Sequence, residues 1–207
     1  HLLNKKYNDK LIENKNLISN FRQISMQQII SDKMLYHNIA VKYSTFNYNK
    51  PHTIWESRLD TSVFFKPAMV INHKTGDKEI FIQDKDNTIY LINSKGHILW
   101  KHPLSEKIIS EIYQVDRYKN NKLQFLFNTK SKIHLIDRLG NYVERYPVPL
   151  RSNASCGMGV FDYNNNENYR ILIPADNKEL YMYNIEGNLV EGWDAKPTEY
   201  RLNSAPQ

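Results

Sequence analysis

The stretch DNTIYLINSKGHILW, residues 86–100, decides the fold, because close variants of it recur downstream at a nearly fixed interval. Its apolar residues first alternate with the period of a β-strand, a turn containing Gly96 follows, and a second apolar strand ends at Trp100. This order predicts a β-hairpin. The same plan returns in IHLIDRLGNYV, residues 133–143, and in LYMYNIEGNLV, residues 180–190.

Four sets of markers share one spacing. The turn glycines Gly96, Gly140 and Gly187 lie 44 and 47 residues apart. A repeat of this length with several short strands is typical of a β-propeller blade, because a four-stranded sheet buries its two apolar faces only against neighbours. Period-two alternation and Asn, Asp and Gly turns argue against the competing helical repeats. The other markers, at spacings of 44 to 46 residues, are the polar turns opening at Asn72, Asp116 and Asp162, the pair Trp55 and Trp100, and the series Leu59, Leu104 and Leu150.

Composition limits the functional classes. The 207 residues are 41% hydrophobic and 24% charged, which is typical of a globular protein. The net charge of +6 is spread along the chain without a basic cluster, so nucleic-acid binding is not predicted.

Cys156 is the only cysteine, so no intrachain disulfide can form. No apolar run reaches the length of about eighteen residues that predicts a transmembrane helix. The start at His1 without a leader suggests a processed product or an excised segment.

The predicted domain plan follows the repeat. Residues 1–35 fit either a helical face or strands, and the alternation from Phe21 onward favours strands there. Closed propellers typically have about four to eight blades, so the predicted fold is an all-β propeller fragment, an open arc of about three to four blades. The plan comprises a lead-in at 1–20, an irregular first blade at 21–59 with a long loop at 44–52, clear blades at 67–104, 112–150 and 157–193, and the start of a further blade, including a strand from Asn203, at 194–207.

Each clear blade is predicted to contain four antiparallel strands. Equivalent strand positions must share a face, so one set of apolar residues is expected to lie in the packed layers between blades, with the turn glycines exposed at one rim. That set is Ile89, Leu91, Ile133, Leu135, Leu180 and Met182. The predicted strands are 67–72, 79–83, 88–93 and 96–102, then 111–116, 123–128, 132–137 and 142–146, then 158–163, 169–173, 179–184 and 188–193.

One loop resembles the opening of a calcium site. Asp162, Asn164 and Asn166 place side-chain oxygens at alternate positions. The match then fails, because Glu167 stands where a Gly is needed and Ile173 stands where an acidic residue should close the site. The equivalent turns at 72–78 and 116–122 are rich in Lys instead. A plain polar hairpin is therefore favoured over calcium binding.

Other candidate site residues favour structural roles. Cys156 has no His at a recognisable spacing for nucleophilic catalysis. The tryptophans Trp55, Trp100 and Trp193 are suited to a sugar platform, but their repeated positions favour packing between blades. The histidines lack the spacing of metal ligands; they are His37, His52, His73, His97, His102 and His134.

The stretch TIYLINSKGHILWKHPL, residues 88–104, resembles the repeat of quinoprotein-type propellers, whose blades commonly close with a strand, a turn Gly and a Trp. The resemblance extends over 67–193 and, weakly, over 21–59. The stretches WESRLD, FNTKSKIHLIDRLGNYVERYPV and FDYNNNENYRILI are also similar to a group of large uncharacterised bacterial envelope-associated propeller proteins. That similarity implies a bacterial protein in the periplasm or cell envelope and no assigned activity. A quinone cofactor would need a complete ring of blades, and this sequence supplies no matching set of groups.

The predicted function is a non-enzymatic platform that binds a protein or polymer partner, with no catalytic, cofactor or metal residues of its own. Exposed blade faces at the end of an open arc are expected to favour self-association. The alternative is part of a quinoprotein-type propeller enzyme whose site lies in blades outside this sequence. The enzyme would need a group of polar side chains at the propeller channel, and the binding platform would not.

Overall fold

A computed structural model describes residues 5–18, 20–31, 34–43, 53–64, 66–194 and 197–206. The chain divides into two compact units, His1–Ile54 and Trp55–Gln207, and each is described here by itself. None of the helices in these ranges combines the length and apolar character needed to cross a membrane.

The N-terminal unit contains two short helices and one long hairpin. The helices are α1, Lys5–Glu13, and α2, Lys15–Ile18, and the antiparallel strands are β1, Phe21–Ser31, and β2, Met34–Tyr43. The prediction of a strand beginning at Phe21 is confirmed. In place of several short blade strands, however, residues 21–43 form two strands of 11 and 10 residues. The predicted loop at 44–52 lies outside the described residues.

The second unit contains three antiparallel sheets, which we call blades I, II and III, and confirms the predicted all-β propeller fold. Neighbouring strands in each sheet follow one another in sequence, as in a meander. Blade I is β3, Ala68–Ile71, β4, Lys78–Gln83, β5, Thr88–Ile92, and β6, Ile98–Pro103; blade II is β7, Tyr113–Val115, β8, Gln124–Asn128, β9, Lys132–Ile136, and β10, Val148–Pro149; blade III is β11, Gly159–Phe161, β12, Arg170–Pro174, and β13, Leu180–Asn184.

The outer strands of blades II and III differ from the prediction. In blade II the fourth strand is Val148–Pro149 instead of 142–146, because a turn with Arg145 at a φ of 71° interrupts the alternating stretch. In blade III the predicted strand 188–193 is reduced to one bridge between Leu189 and Tyr183, and Gly192 at a φ of 76° ends it. The apolar alternation is interrupted at both turns, by Glu144 and Arg145 and by Glu191 and Gly192, but a pair of polar residues does not by itself separate a turn from the solvent-facing end of an outer strand.

Apolar layers between successive blades hold the second unit together. Ile89 and Leu91 of blade I pack with Phe125 and Phe127 of blade II, and all four are buried. Between blades II and III the layer is wider, and it buries large apolar area, the dominant favourable term in folding. Its members include Leu126, Ile133, Leu135, Met158, Ile171, Ile173, Tyr181 and Tyr183. The predicted layer positions are therefore confirmed for Ile89, Leu91, Ile133 and Leu135. In blade III the layer against blade II contains Tyr181 and Tyr183 instead, while Met182 is buried on the other face of the blade and Leu180 is half-buried.

The turn glycines are covered rather than exposed at the rim. A Cβ added to Gly96 would lie 2.5 Å from the Trp55 ring, and one added to Gly140 would lie 2.9 Å from Trp100. Each glycine has a positive φ, +81° and +89°, which side chains other than glycine rarely adopt. The last strand of blade I thus places Trp100 directly on the Gly140 turn of blade II, and Val148 of the last strand of blade II replaces Trp above Gly187. Trp55, which precedes blade I outside any strand, takes the same position on Gly96.

The outward faces of blades I and III are also covered, which differs from the exposed blade faces expected from the sequence. Ile82 and Ile92 of blade I are buried beneath Trp55 and Leu59. At blade III, the segment 197–206 contains no strand. It contacts the blade instead: the Ser155 hydroxyl donates to the Leu202 carbonyl at 2.6 Å, Pro206 lies against Gly159, and Arg201 pairs with Asp176 at 2.6 Å.

Candidate functional site

The calcium-like loop is a self-capped polar hairpin. The carboxylate of Asp162 accepts backbone N–H bonds from Asn166 at 3.1 Å and from Glu167 at 2.8 Å. Asn165 and Glu167 have positive φ values of 50° and 63°. Both carboxylate oxygens are thus engaged by the loop that carries them, which is the geometry of the favoured hairpin. Among the described residues, no group of three or more His, Cys, Asp or Glu is placed to share a metal ion.

Within the second unit the predicted histidines lie apart, except that His102 of blade I and His134 of blade II both contact Tyr142. His134 is stacked on Phe127 at a centroid distance of 5.0 Å, and its Nδ1 and Nε2 bond the hydroxyls of Tyr142 and Thr129 at 2.8 and 3.2 Å. His102 packs edge-on against Tyr142. His52 lies outside the described residues. His134 is therefore a satisfied core residue whose burial lowers its pKa to about 4.

His134 predicts a pH dependence of stability. Its folded-state pKa of about 4 lies below the usual value of 6.5, so the unfolded chain binds the proton more readily between these values. This contribution is complete above pH 6.5 and is lost as pH falls toward 4. Between pH 7 and pH 5 we expect a loss of about 2 kcal/mol in the free energy of unfolding, measured by denaturant titration. His134→Gln should show a smaller loss over the same interval; an equal loss in both proteins would contradict the assignment.

Cys156 and Trp193 have no active-site surroundings. Burial raises the pKa of the Cys156 thiol, which disfavours the reactive thiolate, and the Ser155 hydroxyl donates to its sulfur at 3.8 Å. The indole N–H of Trp193 donates to the carbonyl of Leu180 in its own blade at 2.6 Å. Trp55 and Trp100 have the predicted packing role. Trp193 is 40% exposed and lies on no turn glycine of a following blade within the described residues.

A cleft of about 350 Å³ between blades I and II is the candidate functional site. Three turns form it: residues 72–77 of blade I, and residues 116–123 and 137–141 of blade II. These turns meet because consecutive strands reverse direction, which places the β3–β4, β7–β8 and β9–β10 turns at the same rim. The lining residues include His73, Lys74, Tyr118, Lys122, Arg138 and Leu139.

A buried ion pair fixes one wall of this cleft. Arg138 Nη2 of blade II donates to Glu79 Oε1 of blade I, and the Glu79 side chain is only 2% exposed. Asn72 Nδ2 donates to the same oxygen at 3.1 Å. The carbonyl of Arg138 in turn accepts the indole N–H of Trp100 at 2.8 Å. Both ends of Arg138 are therefore bonded to blade I, so this residue joins the two blades at one wall of the cleft.

The rest of the cleft is basic and partly apolar. Lys74 and Lys122 are exposed on opposite walls, and His73 accepts the backbone N–H of Leu123 at 3.2 Å. Burial, followed by the charges of Arg138, Lys74 and Lys122, lowers the pKa of His73. The cleft therefore has exposed cations on two walls, and the one carboxylate that lines it, that of Asp137, accepts the backbone N–H groups of Leu139 and Asn141 in its own turn. Tyr118 and Leu139, exposed by 53% and 68%, add apolar surface beside these cations.

Sequence reasoning missed this cleft although one signal for it was present. The Lys-rich character of the turns at 72–78 and 116–122 was used only to argue against calcium. The residues that meet across the cleft, such as Lys74, Lys122 and Arg138, are separated by 48 and 16 positions in the chain. The blade-to-blade packing that unites them becomes visible only when the repeat is folded.

Comparison with known proteins identifies the fold alone. No protein-family model and no curated protein matches the sequence. Among solved structures, the chain is similar to BBS1N in complex with ARL6DN, in a crystal soaked with lead, at 12% identity and a TM-score of 0.50, and in a crystal soaked with mercury, at 14% and 0.46.

Each alignment covers 63% of this chain, and the chain spans 44% and 39% of the two solved chains, less than half of either. At this identity the likeness concerns architecture only. The blade topology and this likeness together show that residues 67–193 form a segment of a β-propeller.

Proposed function

We propose that this chain is a non-enzymatic propeller platform, and that the cleft between blades I and II binds an acidic, partly apolar segment of a protein partner. The proposal rests on one observation: exposed lysines and exposed apolar side chains line the same cleft, where an ion pair joins blades I and II. The similar solved structure, BBS1N, is itself found in complex with ARL6DN, which supports protein binding as a use of this fold.

The charges of the cleft favour carboxylates. Lys74 and Lys122 extend from opposite walls and are free to meet an anion, because the structure gives their ammonium groups no bond within the described residues. Charge-assisted hydrogen bonds between ammonium and carboxylate groups are short and strong, and a basic cleft also accelerates the approach of an acidic partner. Arg138 contributes its charge while remaining paired with Glu79.

The apolar part of the cleft favours a peptide segment over a small anion. Tyr118 and Leu139 offer exposed apolar surface next to the lysines, and Tyr side chains are enriched among the residues that dominate binding energy at interfaces. A free phosphate would use the cations and leave this surface in water. A segment that alternates acidic and apolar side chains would use both.

A synthetic peptide in which Glu and Leu alternate tests this function. We expect it to bind the full chain with an affinity that falls as salt rises, since exposed charges are screened. The double variant Lys74→Glu/Lys122→Glu reverses the charge of the lysine on each wall, and it should raise the Kd for the peptide at least about tenfold. Lys85→Glu is the matched control, because Lys85 is an exposed lysine on the β4–β5 turn at the opposite end of β4.

Three results would contradict the proposal. The first is equal binding of the Glu-Leu peptide by the double variant and the unaltered chain. The second is equal binding of a peptide in which Lys and Leu alternate, because a basic peptide should be repelled. The third is tighter binding of an acidic polysaccharide than of the peptide, which would identify a polymer as the partner.

A further inference from the structure

The hairpin of the N-terminal unit has one strongly apolar face. In its antiparallel register, alternate residues of β1 and β2 point to the same side, because side chains along a strand alternate between faces. Three of the four cross-strand rows on this side consist entirely of Ile, Met, Val or Leu. The rows are Ile24 with Val41, Met26 with Ile39, Gln28 with His37, and Ile30 with Leu35.

The opposite face is polar toward the open end of the hairpin and partly apolar near its turn, where Ile29 pairs with Tyr36 and Ser31 pairs with Met34. Ser25 pairs with Ala40 and Gln27 pairs with Asn38 in the middle of the hairpin. Lys42, paired with Gln23, lies on this face near the open end. The hairpin is therefore amphipathic, as expected for a sheet that is covered on one side only.

The apolar face is nevertheless exposed. Ile24, Met26, Ile30 and Ile39 have exposed fractions of 72%, 58%, 81% and 62%. A two-stranded hairpin is at best marginally stable alone in water, and it normally needs a covered face or further strands. Strands of 11 and 10 residues with this pattern therefore indicate that the face has an occupant in the functional protein.

We propose that the occupant is the same face of a second copy of this chain, so that two hairpins stack as a four-stranded, two-layer sandwich. A two-fold axis between the second and third rows brings the same face of both copies together. That axis places the row Ile24/Val41 of one copy over Ile30/Leu35 of the other, and Met26/Ile39 over Gln28/His37. Sheets stacked in this way lie about 10 Å apart, with interdigitated side chains.

The size and polarity of the face fit such a dimer. Six apolar side chains of about 100 Å² each give on the order of 600 Å² per copy, close to the roughly 800 Å² per partner of a standard interface. The face carries no charged Lys, Arg, Asp or Glu side chain. In its one polar row, Gln28 Nε2 and His37 Nδ1 lie 3.2 Å apart, so these two atoms keep their mutual bond when the row is covered.

A lipid surface fits these residues less well. Hairpins and helices that lie on membranes usually combine an apolar face with several cations on the other face. Among the described side chains of β1 and β2, Lys42 is the one Lys or Arg. Apart from Lys42, the paired residues of the opposite face are uncharged: Ser, Gln, Asn and Ala toward the open end, and Ile29, Tyr36, Ser31 and Met34 near the turn.

Sedimentation velocity on the full chain tests the proposal. We expect the unaltered chain to form a concentration-dependent dimer and Met26→Lys to weaken dimerisation at least about tenfold, because the new charge would be buried without a partner. Gln27→Lys adds the same charge at the neighbouring position on the polar face and should leave the dimer intact. A monomer at all concentrations, or a dimer unaffected by Met26→Lys, would contradict the proposal.

Cross-linking tests the geometry independently of that variant's folding. With Cys156→Ser as background, Ile24→Cys/Ile30→Cys, which the axis places opposite each other, should be linked by a bis-maleimide that bridges about 10 Å, giving a species of twice the 24.5 kDa mass of the chain. Within one hairpin these positions lie six residues apart on β1, about 20 Å, which is too far for that reagent. Ser25→Cys/Tyr36→Cys, on the opposite face, should remain monomeric. Equal cross-linking of both pairs would overturn the proposed face, as would binding of the unaltered chain to phosphatidylglycerol vesicles that Met26→Lys abolishes.

Discussion

We expect Arg138→Met to lower the free energy of unfolding by about 3–5 kcal/mol, because it leaves the buried carboxylate of Glu79 without its cation. Asn72 alone would remain as a partner of that carboxylate among the bonds seen here. The double variant Glu79→Leu/Arg138→Met removes both charges and should recover much of the loss, since an apolar pair has no desolvation cost. Denaturant titration followed by Trp fluorescence reports on this unit, because Trp55, Trp100 and Trp193 all belong to it.

The exposed pair between Lys101 and Asp60 is a matched control. Its atoms lie 2.7 Å apart, but the two side chains are 58% and 60% exposed. Lys101→Met should therefore lower the free energy of unfolding by less than about 1 kcal/mol. Equal costs for Arg138→Met and Lys101→Met would show that the pair between blades I and II has no special structural importance.

Gly140→Ala should have the second largest effect, lowering the free energy of unfolding by about 3 kcal/mol. Two effects add here: Gly140 has a φ of +89°, and a Cβ would come within 2.9 Å of the Trp100 ring. Gly76→Ala separates these effects, because Gly76 has a similar φ of +75° with no atom within 4 Å of an added Cβ. Its expected cost is about 1–2 kcal/mol, from backbone strain alone.

The difference between these two variants measures the contact between blades. In a Trp100→Leu background, the extra cost of Gly140→Ala should shrink, because the smaller side chain makes room for the Cβ. An equal cost for Gly140→Ala and Gly76→Ala would mean that the Trp-on-turn contact contributes nothing. The same conclusion would follow if Gly140→Ala lowered the free energy of unfolding equally with Trp100 and with Leu at position 100.

The repeat carried most of the fold information in the sequence. Four independent spacings near 45 residues predicted blades I to III, and the period-two alternation predicted which residues, such as Ile89 and Ile133, share the buried layers. These features are local or strictly repeated, so they can be recognised without a structure. The resemblance to quinoprotein-type propellers and the cell-envelope location stay predictions.

Other features depend on contacts that no repeat encodes. The turn at Arg145 was missed because a positive φ at a residue other than Gly or Asn leaves no signal in the sequence. The alternation of residues 21–43 suits a blade as well as a long hairpin, since both require the same period. The cleft was missed because Glu79 and Arg138 meet only when two neighbouring blades pack together.

Hydrogen–deuterium exchange on the full chain, with and without the alternating Glu-Leu peptide, tests most directly whether the basic cleft is a protein-binding site. The predicted result is slower exchange in the turns at 72–77 and 116–123, which form the two walls, and unchanged exchange in the β4–β5 turn at 84–87. Protection confined to 84–87, or no protection in either cleft turn at saturating peptide, would contradict the proposed function.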